Sequence, residues 1–223
     1  DPALGRLLAE GFALVREFGV RALGLRAYDE QVLTGLVLWD GGIAEMQTGE
    51  GKTLAAVFPA ALRAMEMQGM HILTFNDYLA RRDTAWMGPL YRGLGLSADC
   101  VQEGDPPARR REAYGADVTY LTAREAGFDH LRSFLLMRPE DEVLRPFYAV
   151  LADEADSILI DEARNPLILV AEDRTGRADP AALDRVARDL QPGLHYDVDT
   201  YSRNAFLTED GIREAERRLG CGD

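Results

Sequence analysis

The chain has 223 residues, 47% of them hydrophobic and 28% charged, with a formal net charge of −13. That length suits one large domain, or one domain with part of another, and the composition is ordinary for a soluble globular protein. The acid excess is spread on both sides of residue 168, which argues against a protein that mainly grips a phosphate backbone, because such proteins draw most of their affinity from a cationic face.

In chain order, Leu4, Leu7, Leu8, Phe12, Val15 and Phe18 fall at helical spacing. A second helix is predicted over about 29–39, broken by Asp40-Gly41-Gly42. A short strand, IAEM (43–46), should lead into a glycine-rich turn and a helix from Thr53 to about Met67. HILTFN (71–76) reads as a buried strand, with Asp77 available to cap a helix reaching Gly93. SADCVQ (97–102) and DVTYLT (117–122) are strand-like. A helix opening at Pro106-Pro107 separates them, and another follows over 123–137. YAVLA (148–152) is an apolar strand. Strands alternating with helices predict an α/β domain built on a parallel sheet. After residue 168 the pattern changes to a polar, turn-rich stretch, a hairpin within HYDVDTYSRNAFLT and a helix from Thr208 to Leu219. Two units are therefore expected, 1–168 and 169–223.

Cys100 and Cys221 form no CxxC, which leaves neither a disulfide framework nor a zinc knuckle. A reducing cytoplasm is the expected compartment. No apolar run approaches the ~20 residues of a membrane span. The start, DPALGRLLAE, lacks the features of a secretory signal.

Two motifs carry chemistry. QTGEGKT (47–53), between a predicted strand and a helix, has the setting of a phosphate-binding loop of the Walker A type. Gly49 and Gly51 free the backbone around Thr48 and Glu50 to turn N–H groups inward, and the following helix offers its N-terminus to phosphate. Lys52 is the chain's only lysine among 25 basic residues. It suits the β and γ oxygens of ATP, and the Thr53 hydroxyl suits Mg2+. The strict pattern fails only at Met46. The second motif, DEAD, begins at Asp153 directly after the YAVLA strand. In open α/β sheets ligands bind outside the carboxyl ends of strands. Asp153 is thus a candidate Mg2+ ligand, through water, and Glu154 a candidate for polarising the attacking water. Asp161 and Glu162 lie about two helical turns further on and are expected to be a solvated face.

Together these motifs indicate a P-loop, RecA-like motor of superfamily 2. Longer strings are more specific. IAEMQTGEGKTLAAVFPA, LTFNDYLARRD, ADVTYLTAREAGFDHLRS and above all DEADSILIDEARNPLI closely resemble the SecA family, the ATPase motors of bacterial preprotein translocation. The resemblance implies that Gln31 reads the adenine edge, that Tyr28 packs near the base, and that Arg82 lies near the nucleotide. It implies that residues after 168 begin an inserted α+β preprotein cross-linking domain, with LILVA (167–171) as the strand leading out. The implied partners are the SecYEG channel, an unfolded preprotein and an anionic membrane surface, with room for a homodimer and no specific nucleic acid. The implied location is the cytoplasmic face of the bacterial inner membrane. Departures from the family pattern are LTARE (121–125) where GTNNE is usual, and Asn165 where Thr is usual. The resemblance also places a second motor lobe outside these residues, so slow turnover by this chain alone is expected.

An RNA or DNA helicase shares the loop and DEAD. It should also show a Ser-Ala-Thr motif within a few dozen residues, and none occurs between 157 and 223. The histidines His71, His130 and His195 have no metal-like spacing and are expected to be structural. Arg109-Arg110-Arg111 reads as a solvated helix face.

Overall fold

The computed structural model describes residues 2–169, 180–199 and 204–220. The chain divides into two compact units, Asp1–Leu169 and Val170–Asp223.

The first unit contains helices α1 (Pro2–Leu23), α2 (Asp29–Trp39), α3 (Lys52–Met65), α4 (Asp77–Gly93), α5 (Pro107–Tyr114) and α6 (Ala123–Ser133). Its strands are β1 (Met70–Thr74), β2 (Ala98–Cys100), β3 (Val118–Thr122) and β4 (Ala149–Ala152). They form one parallel sheet in the order β2-β3-β1-β4. Ile72 at its centre lies opposite Tyr120 on one side and Leu151 on the other. A central parallel strand is covered on both faces, and β1 accordingly reads as a continuous buried run. On one face α3 supplies Val57, Phe58, Ala60, Ala61 and Ala64 to the main core, where Phe58 meets Phe12 of α1 with ring centroids 5.2 Å apart. A smaller cluster of Val101, Ala113, Tyr114 and Leu121 forms elsewhere.

Three local expectations are corrected. Residues 43–46 form no strand, and Ile43 is 93% exposed. A strand needs a neighbour for its backbone groups. Among the described residues nothing pairs with the outer edge of β4, where Val150 is also exposed. The cap of α4 is Asn76 rather than Asp77: its side-chain oxygen accepts from the Leu79 N–H at 2.9 Å. Helix α6 stops at Ser133, leaving Phe134, Leu135 and Met137 exposed in a turn.

The second unit holds α7 (Pro180–Asp189), the antiparallel hairpin β5 (Tyr196–Asp199) and β6 (Asn204–Leu207), and α8 (Glu209–Leu219). Thr208 caps α8 by accepting from Gly211 N–H. Helix α7 was not anticipated, although Pro180 at its first position and Leu183 with Val186 at helical spacing mark it. Within the expected strand 167–171, residues 167–169 have no regular structure. The other two lie outside the described residues.

Candidate nucleotide site

The loop Thr48–Gly51 turns sharply into α3. Gly49 and Gly51 hold φ of 91° and 84°, the left-handed region that glycine enters without strain. Gly51 is constrained twice, because a Cβ there would sit 2.2 Å from Gln31 Nε2. The backbone N–H of Gln47 donates to the Glu50 carboxylate at 2.7 Å, closing the loop. Lys52 and Thr53, both half-buried, form the first turn of α3, while Thr48, Gly49 and Glu50 are exposed. Helix α3 thus begins behind two left-handed glycines, an arrangement suited to an anion.

Gln31 is buried, and its amide ties two elements together. Its Oε1 accepts from the Tyr28 N–H at 3.0 Å, at the start of α2, and its Nε2 donates to the Glu50 carbonyl at 2.7 Å. The side chain therefore braces the Thr48–Gly51 loop. One amide hydrogen and one lone pair remain. Tyr28 is 72% exposed, with its ring free of the core.

Asp153 continues β4: its N–H donates to the Leu73 carbonyl at 2.9 Å. Its Oδ1 accepts from the N–H of Glu154 at 3.0 Å. Glu154 is exposed and has φ of 53°, uncommon for a residue with a Cβ. A single π-type turn, Ser157–Asp161, follows. Both features tend to gather at functional sites. Asp161 and Glu162 are exposed.

Connectivity brings the loop and the acid to one end of the sheet. Helix α3 packs on β1, β3 and β4, and its last turn lies at their amino ends, where Tyr148, just before β4, hydrogen-bonds Glu66. A helix that ends there begins at the carboxyl ends. Lys52 and Thr53 therefore stand at the same end of the sheet as Asp153. Arg82 enters this end on the second turn of α4, held by the buried carboxylate of Asp83 at 2.7 Å. Burial raises the pKa of Asp83, Arg82 opposes this, and the nearby charge of Asp153 adds to it.

Sequence reading missed Asp83, although a signal was present. Ala80, Asp83, Met87, Leu90 and Tyr91 lie at helical spacing on the buried face of α4, so a carboxylate interrupts an apolar stripe. The reading of Arg109–Arg111 as a solvated face holds for exposed Arg111 and is corrected at Arg110. Arg110 is 5% exposed and pairs with Glu125 at 2.5 Å and Asp129 at 2.7 Å, while Tyr114 Oη donates to the same Asp129 oxygen at 2.9 Å. Arg109 pairs with Asp99, and Arg111 donates to the carbonyls of Glu140 and Glu142.

The donor set fits a hard cation that arrives with its substrate. Among the described residues no group of three or more His, Cys, Asp or Glu gathers into a cage, whereas Mg2+ commonly takes one or two protein oxygens alongside phosphate and water.

Residues 1–215 match the family model described as SecA DEAD-like domain. The chain is 50% identical over 217 residues to the protein translocase subunit SecA of Syntrophobacter fumaroxidans, covering 97% of this chain and 26% of that protein. It is 48% identical to the subunit of a Cyanothece strain, covering 99% and 24%, and 46% identical to that of a Synechocystis strain, covering 100% and 24%. The chain thus spans about a quarter of the length of the curated relatives it matches. All three of these relatives are named as translocase subunits. A parallel sheet flanked by helices, a glycine-framed loop opening α3 and an acid ending β4 agree with that match, and the chain belongs to the SecA family through its DEAD-like domain.

Proposed function

We propose that residues 1–168 are the first nucleotide-binding domain of a protein-export ATPase, and that 169–223 begin its preprotein cross-linking domain. The observation that carries this reading is the shared position of the α3 N-terminus and Asp153 at the carboxyl end of one parallel sheet. Lys52 and the loop N–H groups bind the phosphates of ATP. Thr53 and Asp153, the latter through water, hold Mg2+, which when bound supplies positive charge to the phosphate oxygens. Glu154 orients and polarises the attacking water. Gln31 uses its remaining donor and acceptor on the adenine edge, Tyr28 lies beside the base, and Arg82 stands near the phosphates.

In the whole motor, hydrolysis drives an unfolded preprotein through the SecYEG channel. The protein works on the cytoplasmic face of the bacterial inner membrane, against an anionic lipid surface, and as a homodimer in one form. No helix among the described residues is long and apolar enough to cross a membrane, in keeping with peripheral attachment. In such a motor an arginine supplied by a facing lobe is worth about 10³–10⁵ in rate.

Two measurements test the reading. Calorimetric titration of the 223-residue chain with Mg2+ and ADP should show binding that Lys52→Ala removes. ATP turnover by the whole motor should rise with vesicles carrying SecYEG plus an unfolded preprotein. Stimulation by RNA alone would overturn the export reading.

A further inference from the structure

Asp83 is a carboxylate where packing favours a hydrocarbon. It is 2% exposed and lies on the inward stripe of α4 with Ala80, Met87 and Tyr91. Burying a carboxylate is costly unless partners compensate, so such a residue calls for an explanation. Its partner is the preceding residue. Successive residues on a helix point about 100° apart, so Arg82 must fold its guanidinium back over the helix to reach it. It does so with two nitrogens on one oxygen: Nε to Oδ1 at 2.8 Å and the terminal nitrogen to the same oxygen at 2.7 Å. The arginine side chain is otherwise 43% exposed. A free surface arginine samples many rotamers, and ordering it costs side-chain entropy. Asp83 meets that cost before any ligand arrives.

The location gives the pair a purpose. Helix α4 starts two residues after β1 ends, with Asn76 as its cap. Arg82 and Asp83 are therefore held at the carboxyl end of the sheet, the end that also carries Asp153 and the first turn of α3. The Asp153 N–H donates to the Leu73 carbonyl, one residue before β1 ends, so Asp153 stands beside the strand that leads into α4.

We propose that Asp83 is a positioning residue of the nucleotide site: it fixes the Arg82 guanidinium at the carboxyl end of the sheet, beside Asp153, so that the arginine meets the terminal phosphate of a nucleoside triphosphate already oriented. This inference rests on the nucleotide reading above and adds a residue that the loop and the DEAD motif do not contain. Arg82 touches the phosphate, and Asp83 acts only through Arg82.

The test compares a triphosphate with a diphosphate. The 223-residue chain and the variants Asp83→Asn, Arg82→Gln, their double and Asp83→Glu are titrated with a fluorescent ADP and a non-hydrolysable fluorescent ATP analogue, each with Mg2+. Asp83→Asn and Arg82→Gln should each lower the preference for the triphosphate by about three- to tenfold, the range of a charge-assisted contact. The double variant should lose no more than Arg82→Gln alone, because Asp83 acts only through Arg82. Asp83→Glu should restore part of the preference. General loosening of the fold would weaken both nucleotides alike, and that result overturns the proposal, as do losses that multiply in the double variant. Should Asp83→Asn fail to fold, Arg82→Gln and Asp83→Glu decide, since the first alters a side chain 43% exposed and the second keeps the carboxylate; an unchanged preference in Arg82→Gln rejects the assignment. A parent chain that binds neither nucleotide sinks the nucleotide reading and this inference with it, a failure separable from an unaltered preference in a chain that does bind.

Discussion

Two clusters of charge in the first unit differ in one respect. Arg110, Glu125 and Asp129 are buried and mutually paired. Asp129 takes a hydrogen bond from Tyr114 on one oxygen and an ion pair from Arg132 at 2.8 Å on the other. At the carboxyl end of the sheet, by contrast, Lys52, Asp153 and Glu154 form no ion pair among the described residues, and the Asp153 carboxylate accepts only from its own neighbour. Charges that the protein itself satisfies stabilise its structure. Charges left open at the end of a parallel sheet are available to a ligand. Sequence motifs do not separate these cases, because both clusters consist of the same residue types.

The comparison predicts separable consequences. The largest belongs to the closed cluster. Asp129→Ala leaves Arg110 buried with one of its two carboxylate partners and should cost about 3–5 kcal/mol of stability, read from urea unfolding; a loss under about 1 kcal/mol would show that the network is slack. Next comes acid sensitivity beside the same cluster. His71, 1% exposed, lies 5.9 Å from the Tyr114 ring. Burial, helped by the charge of Arg145, lowers its pKa from 6.5 to about 4. The Ala149 backbone opposes this weakly, since neither ring nitrogen reaches a partner in hydrogen-bond geometry. Between those two values the unfolded chain binds a proton that the folded chain refuses. Stability therefore falls as pH drops from 6.5 towards 4, by on the order of 3 kcal/mol from this group. The replacement His71→Phe should flatten that part of the unfolding profile.

The open cluster should respond in the opposite sense. Lys52→Ala should weaken Mg2+-nucleotide binding by about 10- to 100-fold while changing unfolding stability by no more than about 0.5 kcal/mol, as for other unpaired surface charges. A large stability loss instead would place Lys52 with the structural charges. The smallest effect is expected at Glu154. Its left-handed backbone costs a Cβ-bearing residue about 1 kcal/mol, so Glu154→Gly should be more stable than Glu154→Ala by about that amount, and equal stabilities would mean that the turn relaxes freely.

The parallel sheet was legible because MHILT, VTYLT and AVLA are short apolar runs separated by helical patterns, and each run pairs where alternation requires. The turn into α3 was legible because two spaced glycines signal a left-handed backbone, which Gly49 and Gly51 adopt. The strand at 43–46 was misread for a physical reason: its pattern is strand-like, yet a strand exists only in a pair. Arg110 was misread because a run of three arginines looks solvated until α6 supplies Glu125 and Asp129.

Sequence alone singled out the residue types that suit a phosphate and a hard cation, a lysine behind spaced glycines and an acid after an apolar run, and the alternation that makes strands lie parallel. These are local properties, set by side-chain type and spacing. Tertiary structure alone decided which charges are closed and which stay open, that Asp83 turns inward to hold Arg82, and that Glu154 adopts a left-handed backbone. Each of these depends on groups distant in the chain meeting in a low-dielectric interior, where the energy of a charge is set by its neighbours rather than by its own identity.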